Sequence, residues 1–363
     1  MKLTKRDILR FSGALFACDA AFPSQSWALK TSSLRELGQS SGIKYGLCES
    51  SSRYAGMRGY FERLASECSL FSPGNDFNWR AIERKPGIYS FGSLDIMANY
   101  CRDNHLSMIG HTLCWYHTVP QWAKSLSPDD FRRAFHGYLR AATERYTDLV
   151  VRFDVVNEPI DPKSPHQDGL RQSDFLMKLG EGYIQDTFDA VRSQAPKTKL
   201  CLNEFGIETT DTESVRKREL FLKLIETLHS RKTPIDVIGL QSHLDTSKRI
   251  DTEGLRHFLR RVKSLGYEIS ITELDVNDVA LPADVNERDA AVASYVDNYL
   301  GLIFSESRPN SIVNWGFSDK YTWLNNFYKR SDGLPLRPLA FDADLGRKPM
   351  WNIIRKYIEG VRL

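Results

Sequence analysis

Phe153-Asp-Val-Val-Asn-Glu-Pro159 is an apolar, strand-like run that stops abruptly at a carboxylate, and Ile269-Ser-Ile-Thr-Glu-Leu-Asp275 repeats the pattern far downstream. Burying an ionised carboxylate is costly unless it is paired or takes up a proton, so strands that point into a packed interior avoid it. Glu158 or Glu273 alone is also explained by a helix cap or a structural ion pair. Two such ends together imply a pair of acids facing one another. That is the arrangement glycoside hydrolysis uses.

Working outward from these runs, strand-like stretches fall at 44–49, 70–74, 107–113, 152–156, 199–203, 237–241, 268–272 and 311–315. Amphipathic stretches at 129–146, 173–194, 213–230, 252–265 and 287–304 separate them, and 348–359 closes the chain. Pro128 followed by Asp129 and Asp130 marks a helix start, and Gly266 a helix stop. Eight strands, each followed by a helical segment, predict an α/β fold of the (β/α)8 TIM-barrel type rather than an open doubly wound sheet. No G-x-G-x-x-G follows the first strand, which weakens a dinucleotide site. In a barrel, Glu158 ends the fourth strand and Glu273 the seventh. Polar residues at such C-terminal strand ends build the pocket. Other strand ends supply Asn75, His111, Trp115, Gln241, His243 and Trp315.

The composition, 41% hydrophobic and 26% charged with no 20-residue apolar span, is globular and argues against a membrane span. The formal net charge is +3, of which two units lie in the first 28 residues. With no basic face in the remainder, a nucleic-acid partner has little support. A monomer is expected. The histidines lack metal-ligand spacing with an adjacent acid, so neither a metal nor a cofactor is expected. No G-x-S-x-G turn for a serine nucleophile is present.

Thr4-Lys-Arg-Asp-Ile-Leu-Arg10, the modestly apolar stretch 11–22 and Ser26-Trp-Ala28 read as an export signal similar to a twin-arginine leader, with Lys5 in place of the first arginine. A solvated N-terminal arm is the other reading. Residues 1–28 are therefore expected to be a signal, 29–39 a linker and 40–363 the catalytic barrel, exported to the periplasm or beyond. Removal of the signal after Ala28 would take Cys18 and leave five cysteines, an odd number without a disulfide pattern. Cys48, Cys114 and Cys201 fall in strand-like runs and read as buried thiols.

Gly110-His-Thr-Leu-Cys-Trp115, Asp154-Val-Val-Asn-Glu-Pro159, Gly239-Leu-Gln-Ser-His243, Ile271-Thr-Glu-Leu-Asp275, Trp315-Gly-Phe-Ser-Asp-Lys-Tyr-Thr-Trp323 and Phe341-Asp-Ala-Asp-Leu-Gly-Arg-Lys-Pro349 resemble, in order, the landmarks of glycoside hydrolase family 10. Typical members of that family are endo-β-1,4-xylanases, and the resemblance covers roughly residues 40 to 360. It implies a retaining mechanism on a polysaccharide such as xylan, with Glu158 as general acid/base and Glu273 as nucleophile. It further implies that Asn157 bonds the sugar 2-hydroxyl and the nucleophile, and that His243 orients Glu273. Gln241 and His111 would line the cleavage subsite, and Trp315 and Trp323 would stack on sugar rings. Asn75 and Trp115 would also meet substrate. For Trp115 and Trp79 a core role is an equal alternative.

The pattern is altered around the second strand. Where the family usually reads Glu-Asn-x-Met-Lys-Trp, this chain has Gly74-Asn-Asp-Phe-Asn-Trp79. Tyr116-His117-Thr118 replaces His-x-Gln, Ile109 stands where arginine is usual, and Asn203-Glu204-Phe205 replaces Asn-Asp-Tyr. Losing two charged sugar-binding partners should weaken binding of xylose units, and a short Thr118 should make room for the hydroxymethyl group of a hexose. Two alternatives to a xylanase therefore stay open. One is a hydrolase of a β-linked, hexose-containing polymer, the other a polysaccharide-binding or processing protein with weak hydrolysis.

Overall fold

The structure, a computed structural model, describes residues 32–360, so the expected export signal and Cys18 lie outside the described residues. The strands are β1 (Lys44–Cys48), β2 (Leu70–Ser72), β3 (Ser107–Trp115), β4 (Val150–Asn157), β5 (Lys199–Glu204), β6 (Val237–Leu240), β7 (His243–Asp245), β8 (Glu268–Asn277) and β9 (Ser311–Asn314). Every pairing among them is parallel. The order β1–β2–β3–β4–β5–β6–β8–β9 returns to β1 through Lys44↔Ser311 and its neighbours, so eight staves close a (β/α)8 barrel. The remaining strand, β7, is a three-residue addition that pairs with the outer half of β8.

Helices wrap the ring, and their apolar faces explain the core. In helix Thr252–Ser264, Leu255, Phe258, Leu259 and Val262 are all buried, the spacing of one helical stripe, and Asp251 caps its first turn by accepting from the Gly254 amide at 3.0 Å. Helix Pro128–Glu144 starts as its sequence implies, with the Ser127 hydroxyl accepting from the Asp130 amide at 3.2 Å. Inside the barrel the side chains are largely polar: Arg152, Asp154, Asn203, Ser270, Thr272 and Ser311 are all buried.

Two helical segments depart from the sequence reading. Residues 34–41, read as reaching into a linker, form a helix that starts at a Ser33/Glu36 capping box and buries Leu34. The single helix expected over 173–194 is two, Asp174–Leu179 and Tyr183–Gln194, broken at Gly180. Of the two roles open to Trp79, the structure gives it the core one. It is fully buried among Phe131, Phe135 and Tyr138, and its indole N–H donates to Glu83 at 2.7 Å.

Candidate active site

Glu158 follows β4 directly, in the left-handed region at φ 57°, and its backbone amide donates to the Asn203 carbonyl at 2.9 Å. A glutamate there is strained by about 1–3 kcal/mol, so the surroundings must hold it. Its Oε1 accepts from Asn157 Nδ2 at 3.0 Å and from Gln241 Nε2 at 3.3 Å, and Arg171 Nε clamps its carbonyl at 2.9 Å. Among the described residues no hydrogen bond reaches Oε2. Glu273 does not end its strand as expected. It lies inside β8, because β7 pairs through His243↔Asp275 with the part of β8 beyond it and keeps that part extended.

Two amides join the carboxylates. Asn203 Nδ2 donates one proton to Glu273 Oε1 at 2.8 Å and the other to Asn157 Oδ1 at 2.8 Å, while Asn157 Nδ2 reaches Glu158. Thr272 donates to Asn203 Oδ1 at 2.7 Å and so fixes which face of that amide carries the protons. Residue 239 must be glycine for this to fit, since a Cβ there would stand 2.2 Å from Asn203 Oδ1. The donor to Glu273 is thus Asn203 rather than Asn157. The resemblance assigned that bond to Asn157, one step too far along the chain of amides.

Two histidines complete the surround of Glu273. His243 sends Nε2 toward Glu273 Oε2 at 3.3 Å and Nδ1 toward Asp275 Oδ1 at 2.8 Å. Burial opposes its charging, but Asp275 and Glu273 outweigh burial and hold its pKa well above the ordinary histidine value. His111 bonds Asp154 Oδ2 through Nδ1 at 2.9 Å and stands 4.0 Å from Glu273 Oε1. Against burial, Glu273 and Asp154 raise it as well. Behind His111, Arg152 Nε donates to Asp154 Oδ1 at 3.0 Å. Although burial pushes the other way, this guanidinium and His111 keep the Asp154 carboxyl below the usual range. Arg152 is the strand partner of Ile109, so the buried positive charge sits one stave over from the position where arginine was expected. Its Nη2 is buried with no hydrogen-bond partner among the described residues.

Trp315 and Trp323 frame these histidines, with ring centroids 4.7 Å from His111 and 5.2 Å from His243. The Trp323 indole N–H donates to Asp275 Oδ2 at 2.7 Å. Trp115, opposite Asn157 in the sheet, is half-buried beside His117 and is brought to the same mouth. Asn75 is not drawn into the cluster. It is exposed in the turn Gly74–Phe77, and no hydrogen bond joins its side chain to the carboxylates. Asn78 caps the next helical turn, accepting from the Ala81 amide at 3.0 Å and donating to the Asn75 carbonyl at 2.6 Å. Thr118 is fully buried with its hydroxyl folded onto the Trp115 carbonyl at 2.8 Å. The room it was expected to open for a hydroxymethyl group is therefore absent.

A cleft of about 400 Å³ opens beside the pair, lined by Phe205, Glu208, Lys217, His243, Trp323 and Tyr328. A shallower surface groove between helices Thr252–Ser264 and Val285–Glu306 lies away from the carboxylates. In the cleft, Lys217 pairs with buried Glu204 at 2.7 Å and places its ammonium 3.2 Å from the Phe205 ring centroid. Asn203, Asp154, Arg152, Asp275 and Lys217 were not singled out from the sequence as site residues. The available signal was polar residues alternating along otherwise apolar strands, as in Arg152-Phe-Asp154. Among the described residues, no cluster of three or more His, Cys, Asp and Glu side chains is arranged to hold a metal ion.

Known proteins carry the same framework. Endo-1,4-β-xylanase 1 of Humicola insolens is 28% identical over 88% of this chain and 73% of its own length. An endo-1,4-β-xylanase of Agaricus bisporus is 27% identical over 88% of this chain and 92% of its own. The crystal structure of xylanase 10B from Thermotoga petrophila RKU-1 in complex with xylobiose superposes with a TM-score of 0.81 at 25% identity, over 90% of this chain and 97% of that one. The family model for glycosyl hydrolase family 10 matches residues 33–357. With that match spanning nearly all described residues, and with two buried carboxylates at the mouth of a closed barrel, the chain belongs to glycosyl hydrolase family 10 and is a glycoside hydrolase.

Proposed function

We propose that this hydrolase is an endo-1,4-β-xylanase that acts with retention of configuration, Glu273 being the nucleophile and Glu158 the acid/base. The observation that carries the reading is the asymmetric bonding of the two carboxylates. Glu273 is held on both oxygens, by Asn203 and His243, whereas Glu158 is held on Oε1 alone. A nucleophile benefits from being aimed, and a proton donor needs one oxygen left for the substrate.

In the first step a Glu273 oxygen bonds to the anomeric carbon as the glycosidic C–O bond breaks, and the Glu158 proton passes to the departing sugar oxygen. In the second, ionised Glu158 takes a proton from water, the oxygen of that water bonds to the anomeric carbon, and the Glu273 ester bond breaks. Two inversions leave the configuration unchanged. Asn157 and Gln241, both on Glu158 Oε1, steady the acid, and His243 keeps a positive charge against Glu273. The two relatives compared above are both named endo-1,4-β-xylanases, which supports xylan as the substrate.

Incubation with β-1,4-xylan should release oligosaccharides of intermediate length whose first-formed reducing ends are β-anomers by proton NMR. Release of α-anomers first, or no soluble product, would refute the assignment. From the sequence we also take residues 1–28 as an export leader and the barrel as a monomer working outside the cytoplasm. Amino-terminal sequencing of protein recovered from a periplasmic or secreted fraction tests the first, and light scattering the second.

A further inference from the structure

We infer a distal sugar-binding platform formed by Phe327 and Tyr328, built for polysaccharide chains long enough to leave the cleft. It rests on the reading of the cleft as a polysaccharide site. Phe327 is 71% exposed and Tyr328 42% exposed, two aromatic residues consecutive in sequence and left in water beside the cleft. One exposed apolar residue needs no explanation, but a pair continuous with a functional cleft does. Continuity is explicit here: the Phe327 ring lies 5.2 Å from Trp323, Trp323 lies 5.2 Å from His243, and Tyr328 itself lines the cleft.

Slack in the loop does not account for the exposure. Arg330, nearly buried, donates to the carbonyls of Asp278 at 2.8 Å and Leu281 at 2.9 Å and pairs with Asp332. Asn325 Oδ1 accepts from the Leu336 amide at 3.0 Å, and the Tyr328 amide closes onto the Leu324 carbonyl at 2.9 Å. The segment is thus tied down at several points, and those ties leave Phe327 facing outward. A pyranose ring presents a face of C–H groups that packs on an aromatic ring, with its hydroxyls directed outward to water. A rigid, half-wetted ring at the end of a saccharide cleft therefore fits the next sugar of the same chain.

The test compares the full-length protein with Phe327→Ala and Phe327→Trp on xylotriose and on xylohexaose. The platform predicts that Phe327→Ala lowers kcat/KM for the hexasaccharide about three- to tenfold, leaves the trisaccharide unchanged, and that Phe327→Trp restores the hexasaccharide rate. An equal loss on both lengths, or no loss on either, overturns it. Calorimetric titration of xylohexaose into the Glu273→Gln protein separates this inference from the proposed reaction. If neither oligosaccharide is cleaved yet Phe327→Ala weakens hexasaccharide binding several-fold, the platform stands and the assigned activity falls. Binding indifferent to Phe327 removes the platform whatever the activity.

Discussion

Two flanks of the same barrel mouth handle their polar side chains in opposite ways. Around β4, β5, β7, β8 and the end of β6, the polar groups bond to one another across strands: Gln241 to Glu158, Asn203 to Glu273 and Asn157, His243 to Glu273 and Asp275. In the segments that follow β2 and β3, Asn78 and Thr118 instead bond to backbone close by in sequence, Asn78 to the Ala81 amide and Thr118 to the Trp115 carbonyl. Bonds across strands couple positions far apart in sequence, so changing one residue strands several partners. Bonds to nearby backbone satisfy a residue locally and leave it replaceable. This difference accounts for the altered family positions Gly74, Asn78 and Thr118 on one flank; on the other the carboxylate pair and its amides are intact, and the altered positions Glu204 and Phe205 are both held by Lys217.

The largest effects should therefore come from the cross-strand flank. Glu273→Gln should cut kcat on xylan by on the order of 10⁴ or more, since no bond to the anomeric carbon can form. Glu158→Gln should cost about 10²–10⁴-fold on xylan and much less on an aryl glycoside whose leaving group departs without a proton. A uniform loss across both substrates would remove Glu158 from the role of acid. Next in size is Arg152→Met, which among the described residues leaves buried Asp154 with His111 as its one remaining ionic partner. Breaking a buried pair from one side costs about 3–5 kcal/mol. Urea unfolding at pH 7 should report that loss, and a change below about 1 kcal/mol would show that Asp154 does not depend on the guanidinium.

How much of this was legible in the sequence follows the same division. The eight staves could be read because each is a short apolar run set between amphipathic helices. The addition β7 could not, because three residues after a left-handed Ser242 have no periodicity of their own. Residues 34–41 look like a linker through Gly38-Gln-Ser-Ser41, although Ser33 and Glu36 carried a capping signal. Glu158 and Glu273 were visible as charges that packing cannot explain. Asn203 stands out in the sequence only as part of an altered motif. Its importance lies in bonds to Asn157 and Glu273, residues 46 and 70 positions away. Trp79 and Trp323 look alike as letters. Only the direction of the chain after β2 shows that the first turns into the core and the second toward His243.

The charge on His243 gives a subtler handle on the cross-strand flank. Its folded pKa is raised well above an unfolded value of about 6.5. The folded state thus binds the proton more tightly, and stability falls as pH rises between the two values. The contribution is fully present below the unfolded value and is lost as pH climbs through the folded one. Wild-type protein should exceed His243→Gln in denaturation midpoint most at pH 6 and least at pH 10. A gap that is constant with pH would mean that the imidazole contributes shape and not charge.

The smallest effect should come from the locally satisfied flank, and it is the one that most sharply tests the comparison. Asn78→Ala removes a helix cap on Trp79–Ile82 and the bond to the Asn75 carbonyl, worth about 0.5–2 kcal/mol of stability. Because the Asn78 amide and carbonyl are both occupied by backbone, no sugar hydroxyl has to be given up, and kcat/KM on xylan should stay within about twofold, a change of under half a kcal/mol in the barrier. Urea unfolding and steady-state rates on one preparation separate the two quantities. A stable protein with a tenfold loss of kcat/KM would place Asn78 among the substrate contacts. It would also break the distinction between a flank bonded for chemistry and a flank bonded for its own backbone.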